Sequence, residues 1–161
     1  VAAFGFTWVI LTWVVWRFTI ADFVSAPLIG LAISVSHWAV LIVHHLGHAA
    51  AAWAAGHPMS GIRLWGWLAT SIYPEDEPAL PVAVHIRRAM GGPLASVVFA
   101  VGIIYAALGL HSKGNQAWSL LAFVALDSLL IFGFGSLIPL GFNDGSTLIY
   151  WFGRKKREQG D

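Results

Sequence analysis

Polar and apolar positions along this chain fall into long blocks. Residues 1–16 are apolar and close at Arg17 and Asp22. Residues 27–55 form a longer apolar stretch that carries histidines. Apolar stretches follow at 93–110 and 117–140, the last interrupted only by Asp127 and several glycines. A bilayer core needs about 20 apolar residues per helix. The pattern therefore predicts an all-α polytopic membrane protein with about four transmembrane helices, at 1–20, 27–55, 93–110 and 117–140. The loop 57–92 holds Arg63, Glu75, Asp76, Glu77, Arg87 and Arg88. Inside it, residues 61–73 mix aromatic and β-branched side chains without a helical period, which predicts a short strand or hairpin at the membrane surface. Residues 146–152 are too short to span and are expected to continue the fourth helix after a break. The whole chain, 1–161, reads as one membrane domain ending in a basic tail at 153–161.

Composition agrees with that pattern. Of 161 residues, 58% are hydrophobic and 11% charged, against about 25% charged in soluble domains. Mean hydropathy is +0.73. A soluble enzyme domain and a disordered chain are excluded. The absence of cysteine removes disulfide staples, thiolate metal sites and thiol nucleophiles. A net charge of +1 provides no basic field for nucleic acid. Nine Trp, ten Phe and three Tyr suit contact with lipid and headgroups. No signal-peptide cleavage pattern is seen, so the first apolar stretch is expected to be retained as a span.

Charge placement orients the bundle. Arg154, Lys155, Lys156 and Arg157 put the C-terminus in the cytoplasm by the positive-inside rule. Four spans then place the 57–92 loop there too, with Arg63, Arg87 and Arg88. Only Arg17 and Lys113 fall on the far side, seven basic residues against two. The terminal basic run reads as a topology anchor. Glu75-Asp76-Glu77, between Pro74 and Pro78, reads as a solvated loop tip, and His57, His85 and His111 lie at span edges.

The second span carries the chemistry. His37, His44, His45 and His48 are four of the seven histidines, and ionisable side chains inside a bilayer are costly without a partner. His44 and His48, four apart, lie on one helix face about 40° from each other. That is the spacing with which two imidazoles grip one metal ion. His37 is two turns before His44 on the same face. A catalytic zinc site needs a third protein ligand and an open position. Asp144 is the first candidate, because Pro139 and Gly141 can break the helix and turn it inward; taken alone, Asn143-Asp144-Gly145 reads as a turn or helix N-cap. Asp127 is the competitor; its other outcomes are pairing with a histidine of the second span or a bond to a neighbouring helix.

Three ordered motifs carry a resemblance. They are His44-x-x-x-His48 in a membrane helix, Gly91-Gly92-Pro93-Leu94-Ala95, and Leu137-Ile138-Pro139-Leu140-x-x-Asn143-Asp144-Gly145. Together, over about residues 30–150, they resemble the site-2 protease family of intramembrane zinc metalloproteases. The resemblance implies Zn2+ held by His44, His48 and Asp144. It also implies a strand-like segment at 61–73 that helps hold an extended substrate. The family's first motif is His-Glu-x-x-His, and its Glu is the general base; here that position is His45. Ser96 and Ser136 stand where the family has asparagines. A glutamate that takes a proton beside a dication becomes neutral, whereas a histidine becomes a cation that the metal opposes.

Three readings stay open. The altered positions favour a site-2-protease-like membrane protein that is weakly active or inactive, keeps the metal scaffold and binds a membrane partner. The second is an active zinc protease that cleaves transmembrane segments, with His45 as a variant base. The third is a membrane subunit whose histidine ligates haem or a chlorophyll-type pigment.

Overall fold

The computed structural model describes residues 2–19, 22–65, 67–115 and 117–158. The ends of the first predicted span (residues 1 and 20), position 66 of the predicted hairpin and residues 159–161 of the predicted tail lie outside them. The chain is mostly helical. Helix α1 covers Ala2–Phe18 and α2 Ser25–Ala54; strands β1 (Gly61–Trp65) and β2 (Leu68–Ile72) follow, then α3 (Val82–Ser112), α4 (Trp118–Leu126) and α5 (Asp144–Glu158). Helix α4 runs on as a π-helical segment over Asp127–Phe134 and a 3₁₀ turn over Gly135–Leu137. Three helical stretches are long and apolar enough to cross a membrane: Ser25–Ala54, Val82–Ser112 and Trp118–Leu137. Helix α1, 17 residues long, rises about 26 Å, short of the roughly 30 Å hydrocarbon core.

Local chemistry sets these boundaries. Ahead of α2, Asp22 Oδ1 accepts the amides of Val24 at 2.9 Å and Ser25 at 2.7 Å, and these bonds hold its carboxyl below the usual range. Helix α3 begins at Val82 rather than at Pro93. Proline suits a helix entrance because its φ is preset and its missing N–H is not needed there. Pro81, immediately before Val82, has that role, and Pro93 lies inside the helix. Arg87 and Arg88 are thereby helical residues, not loop residues.

The 61–73 segment is an antiparallel hairpin in register from Gly61 opposite Ile72 to Trp65 opposite Leu68. Residues 146–152 belong to a new helix rather than to a continuation of the fourth. Asn143 Oδ1 accepts the Ser146 hydroxyl at 2.9 Å and its amide at 3.3 Å, which caps α5 and makes Asp144 its first residue.

Helices α2 and α3 cross where neither has side chains. A Cβ on Gly91 would lie 2.6 Å from Ala51 Cβ, and one on Gly47 would overlap the Gly91 carbonyl. Small residues let membrane helices approach this closely. Trp38, Val40 and Leu41 of α2, with Val124 and Phe132 of the α4 segment, form the buried cluster. Fully buried Ser128 donates to the Ser96 carbonyl at 2.8 Å. Outward faces carry large exposed apolar side chains such as Val9, Leu28, Leu94, Val98 and Leu108, a surface that suits lipid.

Candidate metal centre

Helix α2 turns His44, His45 and His48 into the interior, all three buried. The crossing with α3 brings Gly92 against the first and last of them. A Cβ at Gly92 would sit 2.7 Å from His44 Nε2 and overlap His48 Nε2, so only glycine leaves room for both rings. The break before α5 brings in Asp144. His44 Nε2 lies 3.2 Å from Asp144 Oδ2, His48 Nε2 lies 3.3 Å from Oδ1, and the two Nε2 atoms are 3.1 Å apart. Among the described residues, these three form the group able to hold a metal ion.

The surroundings orient both imidazoles. His48 Nδ1 lies 2.7 Å from the Arg88 carbonyl, which can only accept. Its proton therefore sits on Nδ1, and Nε2 presents a lone pair to the cluster. The Gly92 amide, 3.3 Å from the same nitrogen, lies farther than that carbonyl and does not alter the assignment. His44 Nδ1 meets the Ser96 hydroxyl at 3.0 Å, which can accept a hydrogen bond from Nδ1–H and so leave the Nε2 lone pair free in the same way. Ligating histidines are held by such partners in metal sites. Donor atoms about 2.0–2.2 Å from a tetrahedral zinc stand about 3.3–3.6 Å apart. The separations here are close to that, and two imidazoles with one carboxylate are a fitting donor set.

The other candidates go elsewhere. Asp127 faces His37, with Oδ2 3.1 Å from Nδ1, and His37 Nε2 lies 3.4 Å from the Trp67 carbonyl. The Phe132 ring stands between the two sites, 5.4 Å from the His37 ring and 5.5 Å from the His44 ring. His45 sits beside the cluster, its ring centre 5.3 Å from that of His44 and 5.6 Å from that of His48. Its Nδ1 meets Ser71 Oγ on β2 at 3.1 Å. Ser136 donates to the Phe132 carbonyl at 2.8 Å within its own helix. Ser96 has the orienting contact to His44 given above.

A cavity of about 630 Å³ opens beside these residues, between β2 and the 135–144 segment. Its wall is mostly apolar and includes Leu68, Ile131, Ile138 and Phe142, with His45 and Ser71 on one side.

Sequence reasoning missed the latch on the cavity's loop side. Glu77 is not a solvated tip residue, although Glu75 and Asp76 are exposed. Its carboxylate accepts from Arg88 Nη1 at 2.8 Å and Nη2 at 2.5 Å. Arg88 is buried, donates to the His57 carbonyl at 2.5 Å and lies 4.1 Å from the centre of the Tyr73 ring. The Arg88 bonds hold the Glu77 carboxyl below its ordinary range, and burial pushes the Tyr73 hydroxyl up. One signal was readable. Arg88, Gly92 and Ser96 are four apart, so they share the α3 face that meets the histidines. His85 was expected at a span edge and is stacked on Trp151 of α5 at 3.8 Å.

No family model matches the chain, and no curated protein or solved structure is significantly similar to it.

Proposed function

We propose that this chain is a multi-pass membrane protein with a divalent metal centre at His44, His48 and Asp144. We further propose that it is a site-2-protease-like scaffold with little or no proteolytic turnover that binds a membrane protein partner. The observation that carries the reading is the approach of one carboxylate to two Nε2 atoms on another helix, 96 and 100 residues away in sequence, at the positions where the first and last motifs expect ligands. Four spans, with α1 crossing at a thinned or locally adapted bilayer, and a cytoplasmic C-terminus complete the proposal.

Zinc held there would polarise a peptide carbonyl and make water more acidic. The chain's own residues supply the rest. The Arg88 carbonyl and Ser96 fix the two imidazoles, Gly92 makes room for them, and a mostly apolar cavity lies against them. The hairpin strand β2 forms one wall of that cavity. His45 faces it from the position of the family's general base. An imidazole that gains a proton becomes a cation, and a divalent ion a few ångströms away disfavours that charge. This supports slow turnover. Both Nε2 atoms and the Asp144 carboxylate face one common point rather than open space, which favours an ion over a haem or chlorophyll-type pigment.

Two measurements test the reading. Zinc content of the purified protein should approach one per chain. Cleavage of a reconstituted transmembrane substrate should be slow or absent and should rise in His45→Glu, since a general base contributes about 10²–10⁴-fold. Absence of bound metal overturns the centre. Robust native cleavage lost in His45→Ala makes His45 a working base and the chain an active protease.

A further inference from the structure

Helix α5 begins at a candidate ligand and ends in a basic turn. Its inner face is seated on the bundle by buried Leu148 and by Trp151, which stacks on His85. Its other faces carry exposed Ile149, Tyr150 and Phe152, and then exposed Arg154, Lys155 and Lys156. Arg157 and Glu158 end the helix. The Arg154 guanidinium folds back over the Tyr150 and Trp151 rings, at 5.9 and 5.5 Å. No described carboxylate pairs with Arg154, Lys155 or Lys156. Apolar and aromatic side chains followed by exposed cations are the make-up of a helix that lies in the headgroup region.

We propose that α5 is an interfacial arm whose basic turn, Arg154 to Lys156, binds anionic lipid headgroups of the adjoining leaflet. Three features select lipid as the occupant. The charge is complementary to an anionic leaflet, Tyr150 and Trp151 precede the cations, as rings that favour the interface do, and the helix belongs to a chain with three apolar helices of spanning length. The basic run is thus more than a topology anchor. Lipid bound at one end of α5 steadies the helix whose first residue is Asp144. Each Lys or Arg near an anionic surface strengthens binding by about fivefold, and salt screens the effect.

The test is hydrogen exchange of the α5 amides of the whole chain, in nanodiscs of phosphatidylcholine alone or of a mixture rich in phosphatidylglycerol. A chelator is present throughout, so the result does not depend on the metal centre. Exchange over residues 148–156 should slow by about tenfold or more in the anionic bilayer. High salt should erase the difference. It should vanish in Lys155→Glu/Lys156→Glu and shrink in Lys155→Gln/Lys156→Gln; all these positions are exposed. Equal exchange in the two bilayers overturns the proposal. So does a lipid dependence that survives charge reversal, or protection that needs an added acidic protein instead of lipid.

Discussion

Helix α2 meets an aspartate twice. At His37 the partner is Asp127, one imidazole against one carboxylate at 3.1 Å. Two turns on, His44 and His48 share Asp144. Residue types are alike, though His37 and Asp144 are half-buried where His44, His48 and Asp127 are buried, and the Phe132 ring separates the two sites. What differs is the direction of approach. Asp127 opens the π-helical segment of α4 and reaches sideways to a single ring that is also tied to the Trp67 carbonyl at the hairpin tip. Asp144 starts a separate helix and faces two rings whose far nitrogens are already engaged. The first arrangement is a complete pair. The second gathers three donors and has its remaining polar needs met from behind, which is what a cation requires.

The largest effect expected from this contrast is in metal binding. His44→Ala, His48→Ala or Asp144→Ala should reduce zinc content to background, because two donors do not make a tight site. Asp127→Ala should leave zinc at the native level. Metal analysis of the purified variants checks both, and zinc loss in Asp127→Ala would merge the two sites into one.

Next in size is Ser96→Ala. It removes the hydroxyl behind His44 without touching a donor, and should weaken zinc affinity by about 10–100-fold. A chelator competition titration measures this. An unchanged affinity would mean that packing alone orients the ring.

Asp127→Ala should cost about 1–3 kcal/mol of stability, the penalty for a buried polar group left without its partner. Thermal unfolding in detergent reads it, with Asp127→Asn expected to lose less because the amide still bonds to His37. If Asp127→Ala instead costs nothing, the pair contributes no stability.

The smallest effect belongs to the Arg88–Glu77 latch. Glu77 has its carboxyl lowered by the Arg88 bonds. Its contribution is therefore fully present above the ordinary glutamate range, about pH 4.3, and is lost as pH falls through its lower folded value. Amide exchange of the 73–81 loop should rise below that range in the native chain. In Glu77→Gln it should already be raised at neutral pH and change little on acidification. Parallel curves for the two would show that Glu77 does not hold the loop.

Much of the helical layout was legible from the chain, because long apolar blocks mark long apolar helices without reference to partners. The i, i+4 spacing of His44 and His48 fixes their shared face for the same local reason. The start of α3 was misplaced because two prolines, Pro81 and Pro93, can each open a helix, and only packing against Gly47 places the second one inside. Arg88 and Glu77 were assigned to water because charge in a sequence reads as surface. Their pairing across 11 residues is set by where β2 and α3 leave the loop.

The sequence by itself determined an apolar helical protein with a pair of histidines on one face and two aspartates able to reach them. Which aspartate joins them was decided only by tertiary structure. Side-chain type and spacing are local properties, whereas the π-helical turn at Asp127, the Asn143 cap and the Gly47–Gly91 crossing position atoms from three helices within hydrogen-bond distance. Convergence of that kind depends on how the backbones pack, and no single stretch of the chain encodes it.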